Sequence, residues 1–463
     1  MNRILIIILA CSLWSCGNNK KQNQTEMADT LKTGEVTLMT LDPGHFHAAL
    51  VQKEMYEGIN PDVYVFAPEG PELQTYLSSI QAYNTRPDNP THWNEKIYTG
   101  PDYLEKMLQE KPGNVVVISG NNAKKTEYIL KSAEAGLNVL ADKPMVISPD
   151  QFNDLVEAFR IAGENHTLLY DIMTERYEIT TILQKQLSLI PEIFGKLEVG
   201  TPEKPAVTKE SVHHFFKYVS GKPVVRPTWY FDVSQQGEGI VDVSTHLVDL
   251  IQWECFPGQI LDYPNDIQML SAKRWTTPIT PEQFKTVTGT DSFPSFLDKD
   301  VKDNMLNVYS NGEMTYRIKG VCARVSVIWK FQAPEGAGDT HYSIMRGSNC
   351  NLIIQQGKEE NYRPELYVEK TGNIGEFEKL LTQTVNTTLQ DKFPGISVEK
   401  ISNGKWRINI PDSYRNGHEA HFGQVMEKFL GYLKNDDMPD WEVPDMIAKY
   451  YTTMEALKMA KGE

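Results

Sequence analysis

The sequence predicts an α/β protein: an N-terminal Rossmann-like parallel-sheet domain, then a C-terminal α+β domain with a large open, mainly antiparallel sheet. Three observations carry this. Between residues 35 and 171, short apolar runs alternate with amphipathic stretches, as parallel strands covered by helices on both faces require. Beyond residue 175 the candidate strands become longer and more polar, and Pro- and Gly-rich connections such as 334–338 join them, the pattern of a sheet with one solvated face. A length of 463 residues suits two such domains.

The elements follow in order. Residues 36–41 (Val-Thr-Leu-Met-Thr-Leu) read as a buried strand. Residues 46–56, with Ala49, Leu50 and Val51, predict a helix, and Val63-Tyr64-Val65-Phe66 a second strand. A helix is expected at 103–109, a wholly apolar strand at 115–118, and a helix at 124–135 that Gly136 stops. Residues 138–141 form a further strand, 149–161 a helix opened by Pro149, and 167–170 a strand. In the second half, strands are predicted at 320–332, 341–347 and 351–356, and helices at 420–434 and 443–461. No internal repeat is evident.

Lys and Arg number 46 against 61 Asp and Glu, a net charge of −15, which disfavours a nucleic acid partner because phosphate binding needs a basic surface. The N-terminus reads as a leader. Arg3 precedes a short apolar run, and Leu13-Trp14-Ser15-Cys16 resembles a bacterial lipobox. Residues 1–15 are expected to be removed, leaving Cys16 as the lipidated anchor and 16–34 as a polar tether. The basic Lys20 and Lys21 favour a periplasm-facing, membrane-anchored lipoprotein. Of five cysteines only Cys255, Cys322 and Cys350 remain in the fold; their number and spacing exclude a disulfide framework or zinc motif. The chain thus divides into a leader (1–15), a tether (16–34), a Rossmann-like domain (35–171) and a C-terminal α/β domain (172–463).

Two strings carry the chemistry: Val139-Leu140-Ala141-Asp142-Lys143-Pro144, and Gly237-Glu238-Gly239-Ile240-Val241-Asp242-Val243-Ser244-Thr245-His246. Pro144 restricts the backbone before it, which aims Lys143. Asp242 and His246, four apart, would share a helix face. An ammonium can donate to a hydroxyl or its oxyanion, and an imidazole can take the proton while hydride leaves the same carbon. These strings, with the strand at 115–119 and Gly120-Asn121-Asn122, resemble the glucose–fructose oxidoreductase / inositol dehydrogenase (Gfo/Idh/MocA) family over about 35–257. The resemblance implies NAD or NADP as cofactor and a sugar or glycoside as substrate. It gives catalytic roles to Lys143, Asp242 and His246, with Asp242 orienting substrate or raising the His246 pKa. Ser119, Asn121 and Asn122 fall on the cofactor side with Lys143, and Arg176 and Tyr177 stand where the family has a substrate-side arginine. His213, His214 and Trp229 are further substrate candidates. A homodimer or homotetramer built on the open sheet face is implied as well.

The first turn departs from the family. In place of Gly-x-Gly-x-x-Gly stands Asp42-Pro43-Gly44-His45-Phe46-His47. Gly44, His45 and Phe46 are the remaining cofactor contacts, and Glu69 substitutes for the acidic ribose partner. Asp42 would bring negative charge toward a diphosphate unless it caps a helix. His45, His47 and Asp42 are metal-ligand types close together, as are His418 and His421. The bland alternative is that His47 opens a helix and His418 and His421 line a rim; no metal is assigned. Two other classes stay open: a redox-assisted or metal-dependent glycoside lyase or hydrolase on the same scaffold, and a non-catalytic sugar-binding lipoprotein.

Overall fold

The computed structural model describes residues 36–219, 222–373 and 375–463. The expected leader, Cys16 and the tether lie outside the described residues. Strands β1 (Leu38–Leu41), β2 (Asp62–Ala67), β3 (Asn94–Thr99), β4 (Val115–Ile118), β5 (Asn138–Asp142) and β6 (Leu169–Ile172) make an all-parallel sheet. Its order is β3-β2-β1-β4-β5-β6. The order reverses between β1 and β4, so a crevice opens at their carboxyl ends, where open α/β sheets bind ligands.

In the first domain two elements escaped the sequence reading, the helix Pro71–Thr85 and the strand β3. β3 is an edge strand of exposed and half-exposed residues (Asn-Glu-Lys-Ile-Tyr-Thr) and carries no apolar signal. The helix expected at 46–56 is only His47–Leu50. Trp93 Nε1 donates to the carbonyl of Gln52 at 2.6 Å, taking an acceptor that helix continuation would use.

The second domain is built on strands β7 (Val207–Phe216), β8 (Ile267–Ile279), β9 (Met305–Ile318), β10 (Val321–Gln332), β11 (Thr340–Arg346), β12 (Cys350–Gln355), β13 (Glu365–Lys370), β14 (Ser397–Ser402) and β15 (Lys405–Asn409). They are ordered β8-β9-β10-β7-β11-β12-β13-β15-β14, and the short Val301–Lys302 pairs with β9. Pairing is antiparallel except for β10 with β7, so the sheet is mixed. Among the described residues no helix is long and apolar enough to cross a membrane.

The C-terminal helix Glu442–Lys461 returns to the first domain and locks onto β6. Lys449 Nζ lies 2.7 Å from Asp171 and 2.9 Å from Asp249, and Tyr450 donates to Asp171 at 2.8 Å. Arg176 belongs to this network. Its Nε and Nη2 each donate to Asp249 at 2.7 Å and its Nη1 to Glu442 at 3.1 Å. This corrects the substrate role expected of Arg176: its guanidinium is committed to buried carboxylates and does not line the cleft. Tyr177 likewise packs half-buried against the core, away from the cleft lining. Burial of the network under apolar helices explains why such charges are paired to the last group.

Candidate active site

Two openings flank the turn after β1. The smaller, about 170 Å³, is lined by Asp42, Gly44, Pro68, Glu69, Lys124 and Trp229 among others. The larger is a cleft of about 1080 Å³ between the domains, reached from His45, Phe46, Gly120, Asn122 and Lys143 on one wall and from Asp242, His246, Tyr230 and Trp329 on the other. The two loops between the openings touch backbone to backbone. A Cβ on Gly120 would run into the carbonyl of Asp42, and one on Gly44 would sit 3.5 Å from Gly120 Cα and Trp229 Cζ2. Asn121 caps the helix Asn122–Glu134 by accepting from the amide of Ala123 at 3.0 Å. Its amide also donates to Gln235 at 2.8 Å, while Asn122 donates to the carbonyl of Gln236 at 2.7 Å. These bonds tie the crevice to the second domain.

Asp42 lines the small opening with its carboxylate already engaged by protein partners. Its carboxylate accepts from Tyr128 at 2.7 Å and Tyr103 at 3.3 Å and lies 3.8 Å from Lys124. It is not the partner of the two histidines; Asp142 is. His47 Nδ1 lies 2.9 Å and His45 Nδ1 3.7 Å from Asp142 Oδ2, which also accepts from Ser119 Oγ at 3.0 Å. Ser119 therefore acts through Asp142 rather than lining either opening.

Lys143 enters the cleft from the end of β5, and its peptide bond to Pro144 is cis. Its Nζ donates to Asp242 Oδ1 at 2.7 Å, and both side chains are about nine-tenths buried. Gln236 Nε2 holds the other carboxylate oxygen at 3.0 Å. Asp242 sits in the turn that precedes the helix Ser244–Cys255 rather than on the helix itself. That turn depends on glycine at two places. Gly237 has φ +94°, and a Cβ on Gly239 would strike the carbonyl of Ser310 in β9.

His246 stands one turn further on, with Nδ1 buried and without a hydrogen-bond partner among the described residues. Burial, then the charge of Lys143, holds its pKa well below the ordinary imidazole value, so the ring is neutral near pH 7. The expectation that Asp242 raises this pKa is overturned: the pKa is lowered, and the carboxylates that oppose the lowering are Asp249 and Asp142. Glu175 lines the same cleft, and burial, then Glu178, raises its pKa to about 7.

The remaining candidates separate. His213 lines the cleft, stacked on Trp329 and paired with Asp339 at 2.9 Å. His214 is buried, 3.2 Å from the same carboxylate, and does not line the cleft. Trp229 faces the small opening at Gly44 instead of the large cleft. Glu69 also lines the small opening. His418 and His421 both reach the cleft, with the His418 ring 5.4 Å from that of His47, so they are not a separate centre. The sequence reading missed Gln236 and Glu175, which have no motif of their own, and the pairing of Asp142 with His47, which the unusual Asp142 and the two histidines one residue apart could have signalled.

The residues fit a dinucleotide. Only the backbones at Gly44 and Gly120 separate the two openings; Glu69 and Lys124 line the small one and Lys143 the large one, an acid, a base and an ammonium spaced as the two ends of a dinucleotide would need.

Comparison with known proteins agrees with this geometry. Residues 183–461 match the family described as "Putative oxidoreductase C terminal domain", and residues 76–169 match "Oxidoreductase family, NAD-binding Rossmann fold". A crystal structure of a "putative oxidoreductase" from Parabacteroides merdae is 59% identical, covering 93% of this chain and 98% of that one, with a TM-score of 0.91. Levoglucosan dehydrogenase in complex with NADH and levoglucosan shares the fold at 12% identity, with 92% and 97% of the two chains covered and a TM-score of 0.57. GenD2 from gentamicin A biosynthesis in complex with NAD does so at 13% identity, with 93% and 95% covered and a TM-score of 0.55. No curated protein matches the chain.

Proposed function

The chain belongs to the Gfo/Idh/MocA oxidoreductase family, and from that premise we propose that it moves hydride between a nicotinamide dinucleotide, NAD or NADP, and a carbinol carbon of a sugar or glycoside. One observation carries the reading. Lys143 from the nucleotide-fold half and His246 from the second domain line one cleft, with Lys143 held by Asp242 at 2.7 Å.

A nicotinamide dinucleotide held by the residues at Gly44, Gly120 and Lys143 would supply the hydride acceptor. The chain's own residues supply the rest. His246, neutral and lining the cleft, takes the hydroxyl proton. Lys143 donates to the oxygen as negative charge builds there, and Asp242, itself fixed by Gln236, keeps the ammonium in place. Each positioned acid or base is asked for about 3–5 kcal/mol of barrier, a factor of about 10²–10⁴. Tyr230 and Trp329 give the sugar apolar faces.

Export and lipid anchoring at Cys16 complete the reading. Free nicotinamide is scarce outside the cytoplasm, so a cofactor held in this cleft would be bound tightly and would pass its hydride on to a second sugar or to the ketone formed in a redox-assisted glycoside cleavage. Assembly into a homodimer or homotetramer through the second-domain sheet is part of the same proposal. The test is reduction of the bound nicotinamide together with sugar product formation across a panel of sugars and glycosides. Turnover on at least one, lost in Lys143→Met, supports the reading; sugar binding without turnover on any supports a non-catalytic binder instead.

A further inference from the structure

We propose that His45, His47 and Asp142 form a site for one divalent transition-metal cation on the cleft wall beside Lys143. The proposal goes beyond the hydride-transfer reading and does not depend on it.

The three side chains come from two loops at the carboxyl edge of the parallel sheet. Their ligand atoms all lie within 4.8 Å of one another. His45 Nδ1 is an acceptor, taking the backbone amide of His47 at a long 3.3 Å, and it lies 3.7 Å from Asp142 Oδ2. A cation between the two would displace that amide contact and take the lone pair for itself. A cation with bonds of about 2.0–2.2 Å to imidazole nitrogen and carboxylate oxygen bridges donor atoms about 3–4 Å apart. His47 Nδ1, hydrogen-bonded to the same oxygen at 2.9 Å, completes the set once that proton is released on metal binding. The ring of His418 lies 5.4 Å from that of His47 and offers a further nitrogen nearby.

The surroundings select the kind of cation. Only one carboxylate is in the set, and two ammonium groups stand close. Lys125 donates to the backbone carbonyl of Asp142 at 2.8 Å, and Lys143 is the next residue. A hard cation that depends on negative charge, such as Mg²⁺ or Ca²⁺, gains too little here. Two imidazoles and one carboxylate suit Zn²⁺, Fe²⁺, Co²⁺ or Ni²⁺.

The test uses the folded full chain, stripped with a chelator and titrated with Co²⁺ alone. One equivalent should bind with visible d–d absorption, and Mg²⁺ in large excess should not displace it. His45→Ala and His47→Gln should each weaken Co²⁺ binding by at least about tenfold, a minimum expected of a direct ligand. His213→Gln, on the opposite wall, should bind as the parent does. Near-ultraviolet circular dichroism checks that the variants are folded. As a second reading, the paramagnetically shifted imidazole N–H resonances should number one fewer in each histidine variant. Absence of saturable one-equivalent binding in the parent overturns the proposal, and so does equal affinity in both histidine variants.

Discussion

Nζ of Lys143 and Oδ1 of Asp242 stand 2.7 Å apart although 99 residues separate them in the chain, and the contact joins the two domains at the floor of one cleft. It fixes the position of the ammonium before substrate arrives, which is what pre-organised stabilisation of a developing oxyanion needs. Lys143→Met should lower turnover by about 10²–10⁴ while leaving dinucleotide affinity within a few fold. Steady-state kinetics beside an NADH fluorescence titration separates the two effects. A parallel loss of cofactor binding would place Lys143 in the binding machinery instead.

Asp242→Asn should lower turnover less than Lys143→Met, since the ammonium remains but is no longer held. It leaves a nine-tenths-buried cation with one neutral partner, at a cost of about 1–3 kcal/mol in a cleft open to water. Chemical denaturation against the parent reads this cost.

Much of this was legible in the sequence because it rests on local chemistry. The strands 115–118 and 138–142 are continuous apolar runs, and the Lys143-Pro144 and Asp242…His246 strings stand out unaided. What was hidden depends on partners far away in the chain. Arg176 looks like a substrate arginine until the helix Glu442–Lys461 folds back and brings Glu442 to it, alongside Asp249. Asp42 and Asp142 are equally plausible partners for the histidines until the sheet order sets β5, with Asp142 at its end, two strands from β1. The edge strand β3 has no core face to announce it.

Arg176→Met leaves Asp249 and Glu442 buried without their shared cation, Lys449 alone remaining on Asp249, and should destabilise the fold by about 3–5 kcal/mol. Activity per folded molecule should change little. A selective rise in KM at unchanged stability would return Arg176 to the substrate.

Glu175 offers a pH test. Burial, then Glu178, raises its folded pKa to about 7, above the ordinary carboxylate value, so the folded state holds the proton more tightly. Its contribution to stability is complete below about pH 4 and is lost as pH rises to about 7. Glu175→Gln should therefore match the parent at about pH 4 and exceed it by about 1–3 kcal/mol at pH 8, after allowance for its access to the cleft. Denaturation midpoints at the two pH values decide it; a variant less stable at pH 8 contradicts the assignment.

The account turns on whether one crevice holds a dinucleotide against Gly44 and Gly120, and native mass spectrometry of the protein mixed with NAD measures that directly. The expected result is one dinucleotide per chain. Bare protein at every NAD and NADP concentration would contradict it.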